Sequence, residues 1–297
     1  MTKEGITSQD LQKSLAHIFK IKLRDVGLAG MKDKESVSTQ TFSLLLKEDV
    51  DNVTRRIKSD LNIKVNWAKR HKNKLKVGHL LGNKFKIIIA DLDFPTKETL
   101  KRTKKIIAFL EEKGIPNFYG EQRFGFKGDN FLVGKEIILG RKRVKNKWLR
   151  RFLISSYQSY LCNLYLSKRI EYGYFDKILK GDICKKYETG GMFEVDDPEK
   201  EQERYQKKEI TFTAPLYGSK MWETKSESKK LEREILEDEN ISVENLKSAK
   251  VEGTRRAGRI FLKDFKLREH SKGIKMEFFL PKGSFATTVL REIMKKD

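Results

Sequence analysis

The character of this chain changes twice along its 297 residues, and that change constrains its fold more than any other feature. Strand-forming and basic segments dominate up to about residue 145 and again after about residue 250. Between them, the stretches 194–209 and 223–244 mix acidic and basic residues densely and carry little strand signal. The pattern predicts that both ends of the chain build one domain around an inserted, helix-rich segment. Two sequential domains are the alternative, which composition leaves open.

Local patterns place helices and strands within this outline. Ser8 is a candidate cap for a helix whose apolar residues share one face: Leu11, Leu15, Ile18 and Phe19. A second helix is predicted from Thr96 to the stop signal at Gly114, and a final helix from Ser284. Strands are predicted over 26–30, 37–46, 63–67, 85–89, 210–213, 258–262 and 276–280.

The net charge indicates an anionic partner. Lys and Arg together number 64 against 42 Asp and Glu, so the formal charge is +22. Eighteen Phe, nine Tyr and three Trp exclude a disordered basic tail. The most basic runs are 69–76 and 140–151, and the second has seven cations and no acid. A nucleic acid is the first candidate partner. The alternative explanation of the charge is that the organism's proteins are generally rich in lysine.

Several other classes of protein are disfavoured. The two cysteines, Cys162 and Cys184, form no CxxC, so a disulfide scaffold is excluded and a structural zinc site is not expected. No stretch approaches 18 uninterrupted apolar residues, and the N-terminus lacks the apolar core of a signal peptide. We therefore expect a monomeric cytoplasmic protein without a bound metal or membrane span.

The segment 27–40 contains the first candidate for chemistry. Its sequence is GLAGMKDKESVSTQ, and it places Asp33 between Lys32 and Lys34 in a loop that joins two strands. Neighbouring cations favour an ionised carboxylate, which can act as a nucleophile. No second carboxylate is close enough in sequence to indicate a two-acid hydrolase. A solvated charged turn is the ordinary alternative for this segment alone.

Two further turns combine aromatic and polar residues. The segment 115–125 carries Asn117, Tyr119, Gln122 and Arg123, residue types that read a base edge, stack on a base or bind a phosphate or carboxylate. The segment 280–287 is a strand-to-helix turn, in which Ser284 is a candidate helix cap.

Taken together, these segments resemble the TruD family of tRNA pseudouridine synthases. Five blocks carry the resemblance in order along nearly the whole chain: AGMKDKESVSTQ (29–40), VGHLLGNKFKI (77–87), NFYGEQRFG (117–125), ISSYQSYLCNLYLSKRI (154–170) and LPKGSFATTVLRE (280–292). The resemblance implies isomerisation of uridine 13 of tRNA to pseudouridine, without a metal or organic cofactor. It implies an α/β (α+β) fold whose mixed, mostly antiparallel sheet is flanked by helices. The catalytic domain would comprise 1–144 and 251–297, and the inserted TruD domain 145–250.

The resemblance also implies roles for individual residues. Asp33 corresponds to the catalytic nucleophile, and Asn117 to the residue that contacts the target uridine. Tyr119 corresponds to the aromatic that stacks on the base, where bacterial members usually have Phe, and Phe285 to the aromatic beside the nucleotide. Whether Asp33 attacks the sugar or the ring stays open.

Supporting residues follow from charge and position. Arg123 is the candidate cation that keeps Asp33 ionised and aligned, with Lys32 as its rival and Gln122 as a further supporting residue. The RNA backbone would be held by the basic run, through Arg141, Lys142, Arg143, Lys145 and Lys147.

One feature departs from the family pattern. Family members usually begin with a strand that carries another aromatic near the substrate, whereas only residues 1–7 precede the first predicted helix here. A truncated chain or a reduced sheet edge would explain the difference. The alternative functions are a catalytically impaired RNA-binding relative and a metal-dependent nuclease that uses clustered carboxylates.

Overall fold

A computed structural model describes residues 1–61 and 63–295. The chain divides into two units, Met1–Leu81 and Gly82–Asp297. Its elements are helices and antiparallel strand pairs, which confirms the α+β class. No helix in the described ranges is long and apolar enough to cross a membrane.

The first unit surrounds one amphipathic helix. Its elements are β1 (Thr2–Lys3), α1 (Ser8–Ile18), β2 (Val26–Leu28), β3 (Ser38–Thr39), β4 (Phe42–Leu44) and α2 (Val50–Leu61). β1 pairs with β3, and β2 with β4, both antiparallel. Leu11 and Leu15 on α1 are fully buried among Phe19, Val26 and Ile57. Their i, i+4 spacing explains why this face of α1 packs inward.

The second unit begins and ends in one three-stranded sheet. Its first elements in sequence are β5 (Gly82–Ala90), α3 (Thr96–Lys113), β6 (Ile115–Pro116), α4 (Asn130–Ile138) and α5 (Lys147–Glu171). Its last elements are β11 (Arg259–Ile260), β12 (Lys263–His270), β13 (Gly273–Pro281) and α9 (Ala286–Met294). The sheet has the order β12-β13-β5, and β6 pairs with β11. Met276, Phe278 and Leu280 form its buried face, against Leu110 and Val289 of α3 and α9.

A second sheet lies in the middle of the sequence. The remaining elements are β7 (Ile183–Lys186), β8 (Met192–Glu194), α6 (Pro198–Gln206), β9 (Ile210–Leu216), α7 (Ser226–Asp238), α8 (Val243–Ser248) and β10 (Thr254–Ala257). The strands form an antiparallel sheet of order β10-β9-β7-β8. Tyr157, Leu161 and Tyr165 of α5 are fully buried, and they share a core with Phe212 and Ala214 of β9.

The strand pairing bears on the expected insertion. Strand β5 lies beside β13, which follows it by more than 180 residues, while β7–β10 form a separate sheet. The particular boundaries, 144/145 and 250/251, stay a prediction.

Some local predictions were wrong. Thr7, not Ser8, caps α1: its hydroxyl accepts from the Asp10 amide at 3.0 Å. The expected strand 37–46 is two short strands, and 63–67 contributes only a bridge between Lys64 and Thr2. The final helix begins at Ala286, with Phe285 at the cap position, and the buried Ser284 hydroxyl has no hydrogen-bond partner within the described residues. Helices α2 and α4 were not predicted.

Candidate active site

Asp33 lies in the first unit, in the loop between β2 and β3, and it is exposed. The loop is fixed by side chains on either side of it. Ser8, freed from capping, accepts from the Lys32 amide at 2.8 Å and donates to Gln40 at 2.7 Å. Gln40 in turn donates to the Gly30 carbonyl. These bonds order the backbone that carries the carboxylate while leaving Asp33 at the surface.

Lys3 is a further anchor of this loop. Its ammonium, on a residue that is only 3% exposed, donates to the Asp33 carbonyl at 2.9 Å and to the Ile6 carbonyl at 2.6 Å. Burial lowers the pKa of Lys3 from its ordinary value, and the charge of Asp33 opposes that change. Burial also lowers the pKa of Lys32, again against the charge of Asp33. Two cations therefore act on this carboxylate within its own unit.

The Lys3 anchor can be tested by Lys3→Met, which keeps most of the length of the side chain and removes its donors. Loss of two charge-assisted hydrogen bonds should loosen the loop and lower kcat by about tenfold, with little change in KM. The control is Lys13→Met on the exposed side of α1. Steady-state kinetics on tRNA, the substrate that the family resemblance implies, would measure both, and a kcat within about twofold of the unmodified protein would contradict the anchor.

Asn117 lies in the second unit and is 4% exposed. Its backbone amide donates to the Gly258 carbonyl at 2.9 Å, and its side-chain amide donates to the Ala257 carbonyl at 2.8 Å. The side-chain oxygen accepts from Arg256 Nη2 at 2.5 Å. The second side-chain N–H has no acceptor among the described residues.

Tyr119 and Phe285 form an aromatic pair next to Asn117. Their ring centroids lie 5.6 Å apart, with the planes inclined at 54°, and both residues are half-buried. Asn163 on α5 holds the backbone of Tyr119 from both sides, accepting from its amide at 2.8 Å and donating to its carbonyl at 3.0 Å. Gly120 permits the close approach of the loop, since a Cβ there would lie 2.4 Å from the Thr287 hydroxyl.

Arg123 is held by α5. Its Nε donates to the Ser159 hydroxyl at 3.1 Å and its Nη2 to the Ser155 hydroxyl. The guanidinium carbon lies 5.8 Å from the centroid of the Tyr119 ring. Gln122, by contrast, is exposed in the same turn. The proposed pairing of Arg123 with Asp33 stays a prediction.

The aromatic pair predicts a functional cost for Phe285→Ala that exceeds its structural cost. Because the ring is half-buried at a helix cap, its loss should change Tm by only a few degrees, while loss of the base contact that the family resemblance implies should lower kcat/KM by about tenfold or more. Phe109→Ala on the exposed face of α3 is the matched control. Thermal denaturation and kinetics would be compared, and a fall in Tm with unchanged kcat/KM would refute this role.

The basic run lines a cavity in the second unit. The cavity has a volume of about 570 Å³, and its cationic lining comprises Lys142, Arg143, Lys145 and Arg150. Arg141 lies outside it, 3.6 Å from Glu136 in an exposed ion pair. Lys147 is the first residue of α5 and is exposed.

Neutralising part of this run should weaken the binding of RNA in a salt-dependent way. In the triple variant R141Q/K142Q/R143Q, we expect the salt slope of the association constant to fall by about one for each phosphate contact that is lost. K101Q/K104Q/K105Q on the exposed face of α3 removes the same charge elsewhere. Filter binding across a salt series would measure both variants, and equal slopes would show that only net charge matters.

Sequence reasoning missed Lys3, Asn163 and Arg256. For Asn163 a signal was present, because Ser155, Ser159 and Asn163 recur at intervals of four and form a polar stripe on a largely buried helix. The position of Lys3 carried no such signal. Among the residues that the structure describes, no group of three or more His, Cys, Asp or Glu is arranged to hold a metal ion.

Comparison with known proteins identifies the family. The family model for tRNA pseudouridine synthase D (TruD) matches residues 1–145 and 142–293. A tRNA pseudouridine synthase D of Thermus thermophilus is 37% identical over 296 residues, which cover 99% of this chain and 80% of that protein. One from Anaeromyxobacter sp. is 36% identical over 301 residues, covering 99% and 83%.

A solved structure gives the same result. A Methanosarcina mazei protein described as a tRNA pseudouridine synthase D (TruD) superposes with a TM-score of 0.74 at 25% identity, over 100% of this chain and 87% of that one. The fold and these matches define a pseudouridine synthase, a class of RNA-modifying isomerase. The chain belongs to the TruD family of tRNA pseudouridine synthases.

Proposed function

We propose that this chain isomerises uridine 13 of tRNA to pseudouridine, with Asp33 as the nucleophile. The observation that carries the proposal is the exposed carboxylate of Asp33 on a loop held by Lys3, Ser8 and Gln40, in a chain of the TruD family. A nucleophile has to be accessible and ionised, and its backbone has to be fixed. Lys3 and Lys32 interact electrostatically with Asp33, whose charge opposes the lowering of their pKa by burial.

The reaction breaks one bond to the ribose and forms another. The C1′–N1 glycosidic bond is cleaved, the uracil turns, and C1′ bonds to C5; the ring loses the C5 proton, and N1 gains a proton. Asp33 attacks the sugar or the ring to start this exchange. Because no atom is gained or lost overall, the reaction needs no co-substrate, and it depends on the nucleophile, on the transfer of the C5 proton and on the positioning of the base.

The uridine has to leave the RNA stack before it reacts. In the proposal, the uracil stacks on Tyr119, with Phe285 beside it, and the remaining N–H of the Asn117 side chain donates to a uracil carbonyl. Lys32, Gln122 and Arg123 support the site. The basic run at 141–147 holds the phosphate backbone, a role supported by the cation-lined cavity. A cytoplasmic monomer remains our expectation.

The test uses two tRNA transcripts that differ at one position. One carries uridine at position 13 and the other cytidine, and pseudouridine is mapped along both after incubation with the protein. We expect modification at position 13 of the first and none in the second. Modification elsewhere would overturn the position, and none anywhere would overturn the proposed activity.

A further inference from the structure

Two cations beside Tyr119 have no carboxylate partner within the described chain. The guanidinium carbons of Arg256 and Arg123 lie 3.8 and 5.8 Å from the centroid of the Tyr119 ring. Two buried arginines of this unit are neutralised: Arg169 pairs with Asp182 at 2.7 Å, and Arg255 pairs with Glu232. A third, Arg259, donates to the carbonyls of Lys113 and Tyr205 instead. Partly buried cations that are left uncompensated are costly unless a ligand supplies negative charge.

Arg256 is held in a fixed orientation by the loop that carries Asn117. Its Nε donates to the Asn117 carbonyl at 3.0 Å, and its Nη2 donates to the Asn117 side-chain oxygen and, at 3.3 Å, to the Phe118 carbonyl. Arg255, the preceding residue on β10, forms its ion pair with α7, as the alternation of side chains along a strand requires. These bonds leave both hydrogens of Arg256 Nη1 as donors toward a ligand.

Arg123 repeats this arrangement from another element. Its Nε and Nη2 are used by hydroxyls of α5, and its Nη1 is left as a donor. Burial lowers the pKa of Arg123 from its ordinary value; Tyr119 opposes that change, and the positive charge of Arg256 adds to it to a smaller extent. The two guanidiniums therefore repel each other in a partly buried place, and an anion between or beside them would relieve that repulsion.

We infer that Arg123 and Arg256 together bind a backbone phosphate that flanks the target uridine. This inference rests on the proposed function, because Tyr119 and Phe285 would receive the base to which that phosphate is linked. A guanidinium offers N–H groups in the planar geometry that matches phosphate oxygens. The aromatic pair and the two arginines would then bind the base and the phosphate of one extruded nucleotide.

The experiment is a binding cycle on short RNA hairpins that contain the target uridine. In separate hairpins, the phosphate 5′ or 3′ of that uridine is replaced by a neutral methylphosphonate. Dissociation constants are measured for the unmodified protein, Arg256→Gln and Arg123→Gln. Arg268→Gln, an exposed arginine paired with Glu277, is the control. Binding is used so that the result does not depend on turnover.

At one of the two positions, the methylphosphonate should weaken binding to the unmodified protein and to Arg268→Gln by about tenfold or more. For Arg256→Gln and Arg123→Gln the same replacement should cost less than about threefold, because the arginine that senses the charge is gone. A merely structural role of Arg256 through Asn117 would leave the full methylphosphonate penalty.

If the methylphosphonate penalty at both positions is as large in Arg256→Gln and in Arg123→Gln as in the unmodified protein, the effects are independent and the phosphate site is overturned. Should Arg256→Gln fail to fold, Arg256→Lys replaces it; lysine keeps the charge but cannot reproduce the fork to Asn117, so an intermediate penalty is expected. If the methylphosphonate weakens binding to Arg256→Lys and to Arg123→Gln as much as it weakens binding to the unmodified protein, the inference is overturned. If the unmodified protein formed no pseudouridine in tRNA, the proposed function would be contradicted, and the binding cycle would remain the test of the phosphate site.

Discussion

Asp33→Asn is expected to lower pseudouridine formation by at least about 1,000-fold, while tRNA affinity stays within about twofold. Asparagine has nearly the shape of aspartate but no negative charge, and a neutral amide is a poor nucleophile. The backbone bond from Lys3 and the bonds around Ser8 do not involve the carboxylate, so the loop should keep its conformation. Loss of the chemical step without loss of binding is therefore the expected signature.

The measurement combines single-turnover formation of pseudouridine with filter binding on the same tRNA. Asp60→Asn, an exposed carboxylate on α2 of the same unit, controls for the change in net charge. Asp33→Glu keeps the charge but displaces it, and it should also be strongly impaired, because reacting atoms have to be positioned closely. Turnover of Asp33→Asn within about tenfold of the unmodified protein, about 1.4 kcal/mol of barrier, would eliminate Asp33 as the nucleophile.

Asp182→Ala is expected to lower the free energy of unfolding by about 3–5 kcal/mol, since it leaves a buried guanidinium without its anion. Asp182 is 1% exposed and accepts from both Nη atoms of Arg169, at 3.0 and 2.7 Å. It also accepts from the Leu179 amide at 2.9 Å and the Ser228 hydroxyl at 2.7 Å. The residue therefore ties α5 to the segment before β7 and to α7.

The charge of Asp182 dominates this interaction. Burial by itself would lower the pKa of Arg169, but the neighbouring carboxylate more than compensates, and the pKa is raised. Because the ordinary pKa of arginine is far above neutral, the guanidinium stays charged at neutral pH when Asp182 is removed, and its burial becomes a penalty. Typical domains are stable by only about 5–15 kcal/mol, so the loss is a large part of the total.

Urea denaturation would measure the change, with an unchanged m-value as the sign that the same cooperative transition is compared. Glu203→Ala, which removes an exposed ion pair with Lys207 on α6, should leave the midpoint nearly unchanged. Because α5 also carries Asn163 and the serines that hold Arg123, pseudouridine formation should fail as the second unit unfolds. A loss of less than about 1 kcal/mol would show that Arg169 finds another partner or solvent.

Much of the local structure followed from the sequence. The apolar spacing of Leu11 and Leu15 identified the buried face of α1, and the helix stop at Gly114 agreed with the end of α3 at Lys113. The predicted strands at 85–89 and 276–280 lie within β5 and β13, which pair with each other. Periodicity reports which side of an element is buried, because that depends only on nearby residues.

The errors came from competing partners. Ser8 has a residue type that caps helices, yet Thr7 forms the cap, and the hydroxyl of Ser8 binds Lys32 and Gln40 instead. Ser284 differs, since it is not the cap of α9 and its buried hydroxyl has no hydrogen-bond partner within the described residues. A polar side chain near a helix end can satisfy either the helix or a distant loop, and only the folded chain decides which donor lies within reach.

The sequence by itself determined the class of fold, the basic character of the chain and the order of the motif blocks that identify the family. Residue chemistry also singled out Asp33, Asn117 and Tyr119 as candidates, and the resemblance to the family added Phe285. Tertiary structure alone decided what holds them: Lys3 contacts Asp33 across 30 positions, Asn163 contacts Tyr119 across 44, and Arg256 contacts Asn117 across 139. The physical reason is that a hydrogen bond depends on distances of about 3 Å, and such proximity between remote residues arises only when packing brings their elements together.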